Sequence, residues 1–135
     1  MGDADSLIAL AYKDDANHEK ARQVAEKLLE SCYQIIYPNT AILEAVTTLK
    51  RALNLSDKAH LVIKQYLAGA FTVEYINEDI QTQASQLFNR EAKSKKNTIF
   101  DAVVATVAEK LSADSIFSFD NWYRKLGFIL AEEIT

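Results

Sequence analysis

The sequence predicts an α/β fold in three layers, α/β/α, with a mainly parallel central sheet. Helical patterns alternate along the chain with short runs rich in β-branched and aromatic residues. Strands separated by helices require crossover connections, and crossovers join parallel strands whose sheet is covered on both faces. A length of 135 residues, of which 49% are hydrophobic, suits one globular domain over residues 1–135 with a single core.

The first half of the chain contains three predicted helices and one strand. The second helix is the clearest, because Ala21, Val24 and Leu28 recur at helical spacing and form one apolar stripe. Asn39 or Thr40 is a suitable cap for the third helix. In order, the elements are a short helix at 7–12, an amphipathic helix at 17–32, a strand at 33–38 ("YQIIYP") and a helix from the cap to about residue 53.

The second half repeats the alternation and contains the most apolar helix of the chain. This helix is apolar nearly all round from Val103 to Ala108, which predicts burial. Gly69 is well placed to end the helix before it. In order, the elements are a helix at about 56–68, a strand at 71–76, a polar helix at about 77–93, the buried helix at 99–111, a strand at 115–119 ("SIFSF") and a last strand at 128–131 ("FILA").

Composition excludes several classes of protein. The single cysteine, Cys32, rules out an intrachain disulfide and a multi-cysteine zinc site. No signal peptide and no apolar run of about 18–20 residues is visible, so we expect a cytoplasmic protein without a membrane partner. A net charge of −4 argues against a nucleic-acid coat protein, but not against an enzyme that acts on nucleic acid through metal ions. Basic clusters at 49–51, 90–96 and 123–125 are ordinarily solvated helix ends.

Acidic residues fall where such a fold places its ligand site. In parallel α/β sheets, ligands bind outside the carboxyl ends of the strands. Asp3 and Asp5 precede the first helix, Asp101 lies in the first turn of the buried helix, and Asp120 directly follows a strand. Carboxylates at the borders of a core are unfavourable to desolvate, so their repeated placement there indicates a site.

Each acid also has a purely structural interpretation. Thr98 and Asp101 fit a capping box, with Asp in place of the usual Glu. Asp120 fits the N-cap of the turn that follows it, and Asp3 and Asp5 fit ordinary acids at a helix start. Glu44 lies off the apolar stripe of its helix and fits a solvated position. The functional interpretation therefore depends on the set of acids and not on any one of them.

Four stretches contain the candidate acids, and in order they are "DADSLIALAYKDDANHEKA", "TAILEAVTTLKR", "TIFDAVVATVAEKL" and "IFSFDNWYRKLGF". The first has an Asp before an apolar helix start, the second an acid inside a helix, and the third an Asp-Ala pair opening a buried helix. The fourth has a strand ending in Ser-x-Asp before an aromatic and basic turn. Taken in order, the four stretches resemble the motifs of the PIN-domain family, which includes VapC-type toxins of toxin–antitoxin modules.

The resemblance implies which residues form the site. The acidic quartet, catalytic and metal-binding, would be Asp3, Glu44, Asp101 and Asp120. Ser118 matches a small hydroxyl residue that often precedes the last Asp by two positions. Asp5 has no firm place in the pattern and is a candidate partner to the quartet. His18 matches a recurrent family position, but its ordinary interpretation is a structural residue at a helix start.

The resemblance also implies an activity. A metal-dependent endoribonuclease hydrolyses RNA phosphodiester bonds, and such a site needs Mg²⁺ or Mn²⁺ because these hard cations prefer carboxylate oxygens. Without a metal, clustered acids repel one another and at least one pKa rises. Within the family the expected role is the toxin of a type II toxin–antitoxin module, with an RNA substrate, a cognate antitoxin and a homodimeric assembly.

One departure from the family pattern leads to a further expectation. The family's first Asp ends a central strand, but only Met1 and Gly2 precede Asp3. We therefore expect the first strand to be missing or truncated, through trimming of a longer protein, a shifted register or a strand from a partner. Two other functions stay open: a degenerate PIN fold that binds RNA or protein without catalysis, and a haloacid-dehalogenase-like phosphatase, which "DADS" resembles.

Overall fold

A computed structural model describes all 135 residues and shows seven helices around a small parallel sheet. No helix is both long enough and apolar enough to cross a membrane. A π-helical turn, Thr48–Ala52, continues the third helix, and a 3₁₀ turn, Ala131–Glu133, closes the fold. The elements are α1 (Ala4–Ala11), α2 (His18–Glu30), β1 (Ile36–Pro38), α3 (Asn39–Thr47), α4 (Ser56–Leu67), β2 (Thr72–Glu74), α5 (Glu78–Glu91), α6 (Ile99–Lys110) and α7 (Trp122–Lys125).

Five short parallel segments form the sheet: β1 and β2, of three residues each, and three segments joined by single bridges or backbone hydrogen bonds. β1 pairs with β2 in parallel, with Ile36 opposite Thr72. Single parallel bridges join Gly2 to Phe117 and Ile116 to Leu130. The spatial order is β2, β1, residues 1–3, residues 115–118 and residues 129–131. The predicted parallel sheet is confirmed, although its strands are shorter than the β-rich runs of the sequence.

Residues 1–3 occupy the central position of the sheet. On one side the amide of Gly2 donates to the carbonyl of Ile36 at 2.7 Å. On the other side the Phe117 amide donates to the Met1 carbonyl at 2.7 Å, and the Asp3 amide donates to the Phe117 carbonyl at 3.1 Å. The first strand is therefore not missing, because residues 1–3 pair on both sides. The chain fills the central position itself, so the neighbouring strands are not separated by a gap.

Two residues determine how the segment fits against β1. In parallel pairing the Gly2 carbonyl would accept from residue 38, but Pro38 has no N–H, so the pairing with β1 keeps only one hydrogen bond. A Cβ on Gly2 would lie 2.3 Å from Cε1 of Tyr37. Glycine is a weak strand former, yet here it is required because the Tyr37 ring packs against its backbone.

Cores lie on both faces of the sheet, which gives the predicted three layers. Ile116 belongs to the larger core, which packs against α3, α4, α5 and α6. Its neighbour Phe117 belongs to the smaller core, which packs against α1 and α2. Successive residues of a strand point to opposite faces, so the pair shows helices covering both sides. The carboxyl ends of the strands and the start of α6 consequently meet at one edge.

Replacing Gly2 with alanine should destabilise the protein by about 1–3 kcal/mol, the usual effect of adding a methyl group to a filled core. The reason is the 2.3 Å approach to Tyr37. Chemical denaturation measures the effect, and Gly2→Ala in a Tyr37→Leu background is its control. The alanine should be less harmful there because the obstructing ring is gone. An equal loss in both backgrounds would mean that the ring is not the obstacle.

Candidate metal-binding site

Asp3 lies at the carboxyl end of the central segment and is also the N-cap of α1. Its Oδ1 accepts a hydrogen bond from the Ala4 amide at 2.7 Å, and its Oδ2 accepts one from the Tyr123 hydroxyl at 2.6 Å. The residue is only 4% exposed. The sequence predicted only an ordinary acid at a helix start, and the structure shows that Asp3 caps the helix. Because each oxygen accepts one hydrogen bond, lone pairs remain available for a further ligand.

Asp101 occupies the third position of α6 and completes a capping box with Thr98. The Thr98 amide donates to Asp101 Oδ2 at 2.9 Å, and the Asp101 amide donates to Thr98 Oγ1 at 3.4 Å. The residue is 7% exposed. The cap occupies one of the two carboxylate oxygens, so capping and metal binding are compatible in the same residue.

Glu44 lies in α3 and is half-buried, not solvated as its local pattern indicated. Its Oε2 is buried and has no hydrogen-bond partner. Burial raises the pKa of Glu44 to about 7, and the charges of Asp101 and Asp5 add to the increase. An orphaned buried carboxylate oxygen is unfavourable in a purely structural role, and it fits a residue that awaits a cation.

Asp3, Glu44 and Asp101, the acid trio, converge from three different elements. Each can offer one carboxylate oxygen such that all three oxygens lie within 4.8 Å of one another. Magnesium–oxygen bonds are roughly 2.0–2.1 Å long, so two ligands of one ion are at most about 4.2 Å apart. Small side-chain movements would bring all three oxygens onto a single ion. The donor set, oxygen only, suits a hard divalent cation.

No basic side chain of the protein pairs with the carboxylates of the trio. Burial raises the pKa of Asp3 well above its usual range, the charges of Asp5 and Asp101 raise it further, and the Tyr123 hydrogen bond opposes them. The pKa of Asp101 rises to about 6, mainly through burial. No lysine or arginine forms a salt bridge with these acids. A bound cation would remove the repulsion.

Ser118 connects the two remaining acids of the sequence prediction. Its Oγ donates to Asp5 Oδ2 at 2.8 Å and accepts from the Asp120 amide at 3.1 Å. The Phe119 amide also donates to Asp5 Oδ2, at 2.8 Å. Asp5 thereby anchors the end of the fourth strand to α1. Its other oxygen, Oδ1, is buried without a partner.

Asp120 lies beside the trio but outside the group of three converging oxygens. Its Oδ1 accepts from the Trp122 amide at 2.9 Å, but the N-cap of α7 is Asn121 and not Asp120, the residue that the sequence indicated. Its Oδ2 accepts from the Asn97 side-chain amide at 3.2 Å. The charge of Asp120 contributes to the raised pKa values of Asp101 and Asp5, so all five acids share one electrostatic environment.

Comparison with known proteins identifies the family. Residues 2–129 match the family model of the PIN domain. The chain belongs to the PIN domain family. Its fold is similar to the crystal structure of Mycobacterium tuberculosis VapC20, which is described as a Sarcin-Ricin loop cleaving toxin, with a TM-score of 0.80 and 22% sequence identity over 95% of each chain. A comparison with curated proteins gives no match.

Two residues of this PIN domain site were not found from the sequence. Tyr123, in α7, donates a hydrogen bond to Asp3. Asn97, just before α6, donates one to Asp120. The only sign of Tyr123 in the sequence was its place in the aromatic and basic turn after the last acid. His18 is the structural residue that its helix-start position indicated: it begins α2, and its ring Nδ1 lies 2.7 Å from the Ala9 carbonyl oxygen.

The raised pKa values of Glu44, about 7, and Asp101, about 6, should make the metal-free protein less stable as the pH rises. These acids hold protons in the folded state at pH values where the unfolded chain has already released them, so the free energy of unfolding falls through that window. We expect the melting temperature in a chelator to fall between about pH 4 and about pH 7. Glu44→Gln should reduce the slope, and Mn²⁺ should reverse the loss. An unchanged slope in Glu44→Gln would contradict the role of this carboxyl.

Tyr123→Phe should weaken Mn²⁺ binding by about 10–100-fold, the usual effect of removing a group that orients a metal ligand. The variant removes only the hydroxyl that holds Asp3 Oδ2. Calorimetry measures the affinity directly. Tyr37→Phe is the matched control, because it removes another buried hydroxyl, which contacts Ser6 Oγ at 3.3 Å and no carboxylate. Equal Mn²⁺ affinities for both variants would show that Tyr123 does not position Asp3.

Proposed function

We propose that this PIN domain is a metal-dependent endoribonuclease that hydrolyses RNA phosphodiester bonds. Asp3, Glu44 and Asp101 would hold a Mg²⁺ or Mn²⁺ ion, and Asp120 is the fourth acid of the catalytic site. The observation that carries the proposal is the convergence of three carboxylate oxygens within 4.8 Å without a cationic side chain. Membership of the PIN domain family supports phosphodiester hydrolysis over the other reactions that such a site can catalyse.

The chain's own residues prepare the site for an anionic substrate. The Ala4 amide and the Tyr123 hydroxyl hold both oxygens of Asp3, and the Thr98 amide holds one oxygen of Asp101. When bound, a divalent ion would offset the charges of the carboxylates and of the phosphate and lower the pKa of water. These fixed contacts orient the acids before substrate arrives, so little reorganisation accompanies the reaction.

We extend the proposal to the toxin of a type II toxin–antitoxin module. The support is the likeness in fold to VapC20, a protein described as a toxin that cleaves the Sarcin-Ricin loop. In this role the substrate is RNA, a cognate antitoxin protein is the partner and the assembly is a homodimer. The proposed biological readout is growth arrest when the protein is expressed in a bacterial host without an antitoxin.

Asp101→Asn should abolish RNA cleavage, by at least about 100-fold, and greatly weaken Mn²⁺ binding, since it removes a proposed metal ligand. Asparagine retains an oxygen that can accept the Thr98 hydrogen bond, and it removes like-charge repulsion. The melting temperature without metal should therefore stay the same or rise. Gel analysis of a labelled RNA, calorimetry with Mn²⁺ and thermal denaturation provide the three measurements.

Asp57→Asn is the matched control for this experiment. Asp57 is also an acid in the first turn of a helix, α4, but it is exposed and outside the trio. The control should cleave RNA and bind Mn²⁺ as the unmodified protein does. If the unmodified protein binds Mn²⁺ but cleaves no RNA, the catalytic proposal is wrong and the non-catalytic binding module is favoured. If Asp101→Asn cleaves normally, the assignment of the metal site is wrong.

A further inference from the structure

An open cavity of about 520 Å³ lies against Asp120. It is formed between the loop that precedes α6 and the turn that follows the fourth strand, and Lys96, Phe119 and Lys125 contribute to its lining. Its volume falls within the range of roughly 300–1,000 Å³ that is usual for sites of small ligands. A single nucleotide is of suitable size for this space.

Two residues of the cavity lining, Asn97 and Asp120, connect it to the acidic site. Asn97 and Asp120 both line it, and the Asn97 side chain donates to Asp120 Oδ2 at 3.2 Å. Asp120 in turn is close enough to Asp101 for its charge to raise the pKa of that carboxyl. A polymer whose phosphate lies at the trio can therefore extend past Asp120 towards this cavity.

The charges around the cavity favour an anionic ligand. Lys96 and Lys125 are exposed, and neither forms a salt bridge. They are the basic residues of a lining that also contains the Asp120 carboxylate, and they are available to contact an anion. Lysine ammonium groups neutralise phosphates in this way and supply most of the salt-dependent affinity for nucleic acid.

An aromatic side chain indicates that the ligand includes a base. Phe119 lines the cavity and is only partly buried. Bases stack on aromatic rings with little sequence preference, and they are available for stacking only where the strand is unpaired. The side-chain amides of Asn97 and Asn121 are also at the cavity and can contact a base edge.

We propose that this cavity binds one nucleotide of single-stranded RNA, adjacent to the phosphate that is cleaved. Lys96 and Lys125 contact its phosphate groups, and Phe119 contacts its base. The inference rests on the proposed ribonuclease function and names the form of RNA that the site accepts. It gives the basic residues near the site a role beyond that of solvated helix ends.

The test measures RNA binding by the inactive Asp101→Asn protein, so that cleavage does not consume the probe. The probe is a fluorescently labelled, unstructured RNA decamer, titrated in Mn²⁺ at several salt concentrations. Lys96→Ala/Lys125→Ala in this background should bind on the order of tenfold more weakly, with a salt dependence reduced by about 0.7 per lost phosphate contact. A duplex of the same sequence should compete poorly against the probe.

Lys27→Ala/Lys110→Ala in the same background is the matched control. It makes the same change in charge, and both lysines lie in the last turns of their helices, α2 and α6, at the opposite end of the sheet. The control should retain the affinity and the salt slope. Phe119→Leu should weaken binding several-fold without changing the salt slope, because it removes stacking and no charge.

The outcomes separate this inference from the function on which it rests. If the protein with Asp101 intact cleaves RNA while the Lys96/Lys125 double variant binds the decamer as the control does, the cavity proposal is wrong and the ribonuclease stands. If the intact protein neither binds nor cleaves the RNA, both proposals fail. A double variant that also loses Mn²⁺ binding in the Asp101-intact protein would show that the lysines act on the metal site, which would overturn the cavity proposal.

Discussion

The burial of Asp3 at the end of a three-residue central segment is the constraint on which the rest of the structure depends. The segment must pair on both sides, which it does with Ile36 and Phe117. It must also accommodate the ring of Tyr37, which only glycine at position 2 allows. The carboxylate that follows then needs hydrogen-bond donors, because an uncompensated buried charge is strongly unfavourable. Fold and site are therefore built from the same few residues.

The site keeps an electrostatic conflict that the fold does not resolve. Three carboxylates approach one another without a basic side chain, and Glu44 has a buried oxygen without a donor. Local structure provides a hydrogen bond to only one oxygen of each helix-capping acid. The Thr98 amide at the start of α6 donates to one oxygen of Asp101, and the Ala4 amide at the start of α1 donates to one oxygen of Asp3. Unresolved conflicts of this kind are typical of functional sites, where a ligand completes what the chain leaves open.

Hydrogen bonds between distant parts of the chain align the acids. Ser118 joins Asp5 to the strand end that carries Asp120, across 113 residues of sequence. Asn97 joins the start of α6 to the same Asp120. These contacts hold the carboxyl end of the fourth strand, the first turn of α1 and the first turn of α6 in fixed relation. The cavity lies beside this junction, so its shape depends on the same contacts as the acidic site.

The sequence by itself determined the alternation of helices and strands, the capping box of Thr98 and Asp101, and the family to which the four acids point. These features depend on interactions over a few residues, such as helical periodicity and caps, which a linear sequence displays. Tertiary structure decided the burial of Glu44, the short strands and the contact between Tyr123 and Asp3, 120 residues apart. No local pattern encodes these features, because packing between elements distant in sequence sets which side chains meet and which lose water.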